Sequence, residues 1–233
     1  MIIAIDGTSG SGKSTLAKRL AQKLNFGFFS AGALYRALTV KTLSLSISEN
    51  NEDALKQLAE NTEVIYTYDG TSNVMIVDGV NITEKLYTEE VSNFVPKIAC
   101  KPYIREFVRK LQQETKLNNE NIVMEGRDIG SVIFPDADLK IYVDCKAEIR
   151  AQRRMKDYET LGEHVDISKV VADLEDRDYQ DTHRPISPLV MCENALLIDT
   201  SYASVDECLA TIFKEMLWRG LATKEFFKDH GIM

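Results

Sequence analysis

Apolar residues follow two rhythms along this chain. IIAI at 2–5 is an unbroken β-branched run closed by Asp6-Gly7, the pattern of a strand buried on both faces that meets a turn. From Lys13 to Leu24, Leu16, Leu20, Ala21 and Leu24 recur at helical spacing. FGFF at 26–29 predicts a second strand, and AGALYRALTVKTLSL a second helix. Strand and helix alternating from the first residues predict an α/β fold whose parallel sheet is covered by helices.

The rhythm then changes. EVIYTYDGTSNVMIVDGVNIT (63–83) holds two β-rich runs, a D-G-T-S-N turn and a second D-G turn, which predict a hairpin or small antiparallel sheet. Helical patterns flank it: NEDALKQLAEN before, EEVSNFVPKIA and PYIREFVRKLQQET after. Residues 48–118 therefore read as an inserted subdomain, with 1–47 and 119–218 as the core and 219–233 as a tail. In the core, NIVMEG and LKIYVD predict strands, followed by helices from Lys146 and through Val170–Asp181. ALLID predicts a last strand, and a helix from Val205 completes the core. There is no internal repeat.

Composition narrows the function. The 233 residues are 44% hydrophobic and 27% charged, with a net charge of -8. That balance argues against a broad nucleic-acid-binding surface but leaves room for a local arginine pocket. Cys100, Cys145, Cys192 and Cys208 form no C-x-x-C pair, so reduced thiols in a cytoplasmic protein are expected rather than zinc. No run of eighteen apolar residues predicts a membrane span, and MIIAIDG has no basic leader.

The most specific chemical signal is GTSGSGKS, Gly7 to Ser14, between a predicted strand and helix. It matches the phosphate-loop pattern G-x-x-x-x-G-K-[ST]. In this pattern Gly7, Thr8, Ser9, Gly10, Ser11 and Gly12 turn backbone N–H groups onto phosphate oxygens, and Thr15 continues into the helix. Lys13 is placed to reach the β- and γ-phosphates, and the Ser14 hydroxyl suits Mg²⁺. A nucleoside triphosphate, ATP, is the expected ligand.

Arginines raise a second possibility. Arg36, Arg105 and Arg127 lie on three predicted elements, and ligands of parallel-sheet proteins bind at the carboxyl ends of strands. Each is a solvated surface charge on the plain reading; together they suit a second phosphate held by bidentate contacts. Lys146, Arg150, Arg153 and Arg154 make a basic helical stripe, followed by DYETLGEHVD as a candidate lid at about 157–166. Arg177, Asp181 and Arg184 share another helix face, where intrahelical pairing is the plainer alternative. The Arg127-Asp128 pair in MEGRDIGSVIF poses the same choice between a salt-bridged turn and a ligand site. A phosphate-loop ATPase or switch also remains open, with Glu125 after IVM as its water-activating acid. N-K-x-D, the base-reading motif of GTPases, is absent.

From IAIDGTSGSGKST through AGALYRA, IACKPYIR, EGRDIGSVIFPDADLKIYV and RDYQDTHRPISPL, the chain resembles the bacterial cytidylate kinases, a branch of the nucleoside monophosphate kinases. Only the tail after about Leu217 lies outside the resemblance. It implies a five-stranded parallel phosphate-loop core, an enlarged monophosphate-binding insertion, a short lid, and ATP-dependent phosphorylation of CMP and dCMP. By resemblance, Arg127 binds the acceptor phosphate with Arg36, while Asp128 reads the pyrimidine with Arg105. Arg177 and Asp181 are similar to residues around the acceptor sugar and transferred phosphate, and Arg184 to a phosphate-facing arginine. Arg153 is the lid-helix arginine expected at the transferring group, beside Arg154 on the ATP side. A kinase of another small acceptor is the alternative within this class; a monomer acting on nucleotides, without nucleic acid polymer or membrane, is expected. Two positions depart from the family pattern. Ala31 and Pro96 stand where serines are usual, so looser discrimination for cytosine is expected.

Overall fold

A computed structural model describes residues 1–68, 73–160 and 166–232, for 157–160 the backbone only. β1 (Ile2–Gly7) pairs in parallel with β6 (Ile122–Gly126) on one side and β7 (Leu139–Asp144) on the other. β7 pairs in parallel with β8 (Leu196–Asp199), and β2 (Gly27–Ser30) completes a five-stranded sheet in the order β2-β6-β1-β7-β8. The continuous apolar runs are explained by burial on both faces: Ile3, Ile5, Ile122, Val123 and Met124 are completely inaccessible.

The register places Asp6 beside Gly126 and Gly7 beside Val143. Gly7 is required there by close approach, since a Cβ would fall 2.0 Å from the Val143 carbonyl oxygen. The loop that follows leads into α1 (Lys13–Leu24), whose buried stripe is Leu16, Ala17, Leu20, Ala21 and Leu24. After β7 come α6 (Ala147–Thr160) and α7 (Ile167–His183), packed through Ala151, Val170 and Leu174. The expected lid at about 157–166 lies largely outside the described residues, which omit 161–165. Among the described residues, no helix is long and apolar enough to cross a membrane.

The chain divides into two compact units, residues 1–26 with 121–233, and residues 27–120. The second unit thus starts well before the insertion expected at 48. The reason is α2 (Ala31–Ser44), which packs on α3 (Glu52–Glu60), α4 (Glu89–Ala99) and α5 (Pro102–Leu117). Its antiparallel sheet joins β3 (Val64–Tyr68), β4 (Asn73–Val77) and β5 (Val80–Asn81). The expected D-G-T-S-N turn lies outside the described residues, apart from Asn73. The second turn, Asp78-Gly79, has φ values of 49° and 79°, the paired left-handed conformation that tight hairpins favour.

The tail is part of the core of the first unit. α8 (Val205–Trp218) is followed by Gly220 in the left-handed region, and α9 (Lys224–Asp229) starts on a Thr223 cap whose hydroxyl accepts from the Phe226 N–H at 3.1 Å. Phe227 is fully buried, its ring centroid 5.2 Å from that of Phe213 on α8. The sequence left docking on the core or on a partner open; Phe227 docks on the core. Phe227→Ala is expected to lower unfolding stability by about 3–5 kcal/mol, the usual cost of emptying a buried aromatic site. Denaturant titration measures this. Nucleotide KM values of the folded variant are expected to stay within twofold, because no phosphate-binding pattern appears in the tail.

Candidate active site

At the end of β1 the loop folds its lysine inward. The Thr8 carbonyl accepts from the Ser11 N–H at 3.4 Å, the Ser11 hydroxyl at 3.0 Å and Lys13 Nζ at 3.0 Å. Lys13 is buried, and this desolvation pushes its pKa down to about 7, helped by the positive charges of Arg127 and Arg177 and opposed by Glu125. Ser14, at the start of α1, donates its hydroxyl to Glu125 Oε1 at 3.0 Å. Thr15 follows on the exposed side of the first turn. Ser14 and Glu125 are hard oxygen donors of the kind that suit a small divalent cation.

Next to this loop, β6 ends in the Arg127-Asp128 turn. Arg127 reaches α7: its Nε donates to Asp181 Oδ2 at 2.6 Å, and NH1 to the Gly126 carbonyl at 3.3 Å. Burial opposes the guanidinium charge, but Asp181 outweighs it and raises the Arg127 pKa. Asp181 is held below its usual carboxylate range, because Arg127 overcomes the opposing effect of burial. Arg184 joins the same carboxylate, NH1 to Oδ1 at 3.5 Å, and donates Nε to the Ser187 carbonyl at 2.7 Å. Arg177 lies one turn before Asp181 on α7, close enough for its charge to lower the pKa of both Lys13 and Asp181. Asp128 is buried, and its carbonyl accepts from Val132 and Ile133 in the π-helical turn Ile129–Ile133.

The basic stripe on α6 splits into separate tasks. Arg150 is 6% exposed; it donates to the Ser9 carbonyl at 2.7 Å and the Cys145 carbonyl at 2.8 Å, and pairs with Asp178 at 2.6 Å. Asp178 in turn accepts from the Ser9 N–H at 2.9 Å. That pair ties α6 and α7 to the loop backbone, which makes Arg150 an anchor of the loop. Arg153 lies over Gly12, where a Cβ would come 3.7 Å from its NH1, and donates to Thr200. The Thr200 hydroxyl continues the chain to the Ser11 carbonyl at 2.7 Å. Arg154 is half-buried on the same helix, and Lys146 faces Tyr202. Asp178 belongs to the family-like stretch RDYQDTHR and Thr200 has no signal beyond a polar loop position, and nothing in their spacing announces a partner in the phosphate loop.

The second unit holds its own cluster. Arg36 on α2 donates to the Leu86 carbonyl at 3.0 Å and the Ser92 hydroxyl at 2.9 Å, with its guanidinium 5.0 Å from the Tyr87 ring centroid. Arg105 on α5 is 8% exposed and donates to the Ala99 carbonyl at 3.2 Å; its guanidinium lies 5.8 Å from the Tyr35 ring centroid. Ser30, the neighbour of Ala31, caps α2 by accepting from the Ala33 N–H at 3.2 Å. Pro96 lies inside α4 and has no N–H to give the Ser92 carbonyl.

The cytidylate kinase family profile matches residues 3–217. The chain belongs to the cytidylate kinase family. It is 40% identical over 210 residues to a cytidylate kinase of Desulforamulus reducens, covering 90% of this chain and 94% of that one. A cytidylate kinase of Stutzerimonas stutzeri is 37% identical over 223 residues, with 95% and 97% covered. Among solved structures, a Thermus thermophilus protein matches with a TM-score of 0.50 at 19% identity, covering 96% of this chain and 98% of that one. At that identity the likeness concerns the fold alone.

For a cytidylate kinase family member, the depressed Lys13 pKa has a measurable consequence. The unfolded lysine titrates near 10.5 and the folded one near 7, so between these values the unfolded chain binds more protons and the Lys13 contribution to stability rises with pH. A triphosphate bound against Lys13 would reverse the shift, because phosphate oxygens favour the charged ammonium. At about pH 8, calorimetric ATP binding is expected to take up close to one proton more in wild type than in Lys13→Met. Identical buffer dependence of the binding enthalpy in both proteins counts against it.

Proposed function

We propose that this chain transfers the γ-phosphoryl group of ATP to the phosphate of CMP or dCMP, giving ADP and the diphosphate. An acceptor phosphate oxygen forms the new bond to the γ-phosphorus as the bridge to the β-phosphate breaks, and the leaving electron pair stays on ADP. The observation that carries this reading is the junction of two anion-seeking groups: the Lys13 loop and the Arg127–Asp181 pair at the ends of β1 and β6. Family membership supplies the nucleotide class.

Phosphoryl transfer needs chiefly positioning and neutralisation of charge spread over the transferring oxygens. In this reading the backbone from Gly7 to Thr15 cradles the donor phosphates and Lys13 takes the β/γ charge. Arg153 follows the transferring group, and Arg154 lies on the ATP side. Arg36 and Arg127 take the acceptor phosphate, Arg177 and Asp181 lie around the acceptor sugar and the transferred phosphate, Asp181 also orients Arg127, Arg184 faces phosphate, and Asp128 with Arg105 reads the base. Mg²⁺ fits the Ser14–Glu125 pair, whose oxygens are 3.0 Å apart; when bound with nucleotide, it supplies further neutralisation of phosphate charge. The enzyme works as a monomer in the cytoplasm in this reading, on free nucleotides. The net charge of -8 supports the exclusion of polymeric nucleic acid.

Lys13→Ala is expected to cost roughly 10²–10³ in kcat, the usual price of removing a charge aimed at the transferring group. Arg127→Ala is expected to raise the acceptor KM and lower kcat while ATP affinity stays nearly constant. A coupled ADP assay with and without monophosphate reads both. ADP release that ignores the monophosphate would sink the kinase reading.

Base discrimination follows from the second unit. Ser30 is engaged as a helix cap, and the hydroxyl nearest Pro96 on its helix face belongs to Ser92, one turn earlier and bonded to Arg36. Ala31 and Pro96 themselves offer no donor to a base edge. CMP and dCMP are expected to be preferred, with measurable UMP turnover. Pro96→Ser is expected to sharpen the kcat/KM ratio by up to about tenfold, the worth of one hydrogen bond. An unchanged ratio would show that other groups read the base.

A further inference from the structure

The turn that carries Arg127 and Asp128 is fixed by a residue one position outside the phosphate-loop pattern. Asp6 is the last side chain of β1 before the phosphate loop, and it is 5% exposed. Its two oxygens act separately: Oδ1 accepts from the Ile129 N–H and Oδ2 from the Gly130 N–H, each at 2.8 Å. These are the first two N–H groups of the π-helical turn, which the side chain of Asp128, the residue before it, does not cap. Leading N–H groups of a helical turn lack partners within it, and an anion at that end is favoured. Bonds to a carboxylate are also the stronger kind. The turn is confined on its other side too. A Cβ at Gly130 would lie 3.2 Å from Lys140 Cγ on β7 and 3.5 Å from Ala4 Cβ on β1.

Keeping this carboxylate buried is costly. Desolvation pushes its pKa up to about 6; Asp128 adds repulsion, while the two amides and Arg127 pull it back. Ionised at neutral pH, Asp6 has these two amides as its hydrogen-bond donors in the turn. The adjoining residues are Gly7, which opens the phosphate loop, and, across the strand pair, Gly126, which precedes Arg127.

We propose that Asp6 is a positioning residue for the acceptor: by clamping the Ile129 and Gly130 amides it sets the direction of Arg127 and Asp128 relative to the phosphate loop. The proposal rests on the reading of Arg127 and Asp128 as acceptor-binding. Asp6→Asn preserves shape but turns an NH₂ against one of the two N–H groups. The expected result is a CMP KM raised roughly tenfold, as for loss of a bond to a charged group, a smaller fall in kcat, and an ATP Kd within twofold of wild type. Gly130→Ala presses the same turn from the Lys140 side with Asp6 intact, and is expected to raise the CMP KM several-fold with the ATP Kd unchanged. If Asp6→Asn does not fold, Gly130→Ala decides alone. An unchanged CMP KM in the folded variant, or an ATP Kd that worsens in step with it, overturns the proposal. Arg127→Ala, measured alongside, separates the two levels. If it weakens ATP in place of CMP, the acceptor assignment has failed; if it weakens CMP while the Asp6 and Gly130 variants do not, only the positioning role has failed.

Discussion

The chemistry of this protein depends on β1 lying between β6 and β7 in a single register. Asp6 beside Gly126 and Gly7 beside Val143 bring the phosphate loop and the Arg127-Asp128 turn out at the same end of the sheet. A one-residue slip would reverse the faces of Ile3 and Ile5 and move a side chain into the space that Gly7 leaves against the Val143 carbonyl. Apolar burial on both faces therefore specifies where the charged groups stand.

Around that junction positive charge is crowded and partly desolvated. Arg127 and Arg177 both lower the Lys13 pKa, while Glu125 and Asp181 raise it. The carboxylates hold the cations in place without cancelling them, which favours a bound polyanion. The Arg150–Asp178 pair is different in kind. Its donors and acceptors close on the loop backbone and on each other, so it carries geometry. Removing either partner would leave a buried charge uncompensated.

The second unit meets its polar requirements locally. Phe28 and Phe29 at the end of β2 make edge contacts with Tyr68 and Tyr66 of β3, at 5.2 and 5.1 Å. The helices above them present Arg36 and Arg105, each engaged by a backbone carbonyl and close to an aromatic ring. Pro96 interrupts the hydrogen-bond ladder of α4 one turn after Ser92, whose hydroxyl partners Arg36.

The chain alone determined the alternation of strands and helices, the phosphate loop and the family. Each is written in contiguous residues: IIAI as a doubly buried strand, GTSGSGKS as a loop between strand and helix, EGRDIG as a turn between apolar runs. Local periodicity and glycine placement reach only as far as neighbouring residues, so what lay between distant segments stayed hidden. Arg150 reads as one member of a basic stripe until folding buries it against Ser9 and Asp178. Arg177 and Asp181 suggest an intrahelical pair, yet Asp181 meets Arg127, which is 54 residues away in sequence. Asp6 looks like the end of a strand, and only the β1–β6 register gives it two amides to hold. The tail showed no phosphate-binding pattern, and tertiary packing made Phe227 part of the core. Sequence spacing specifies which face a side chain takes on its own element; the partner it meets there is decided by the packing of elements far apart in the chain.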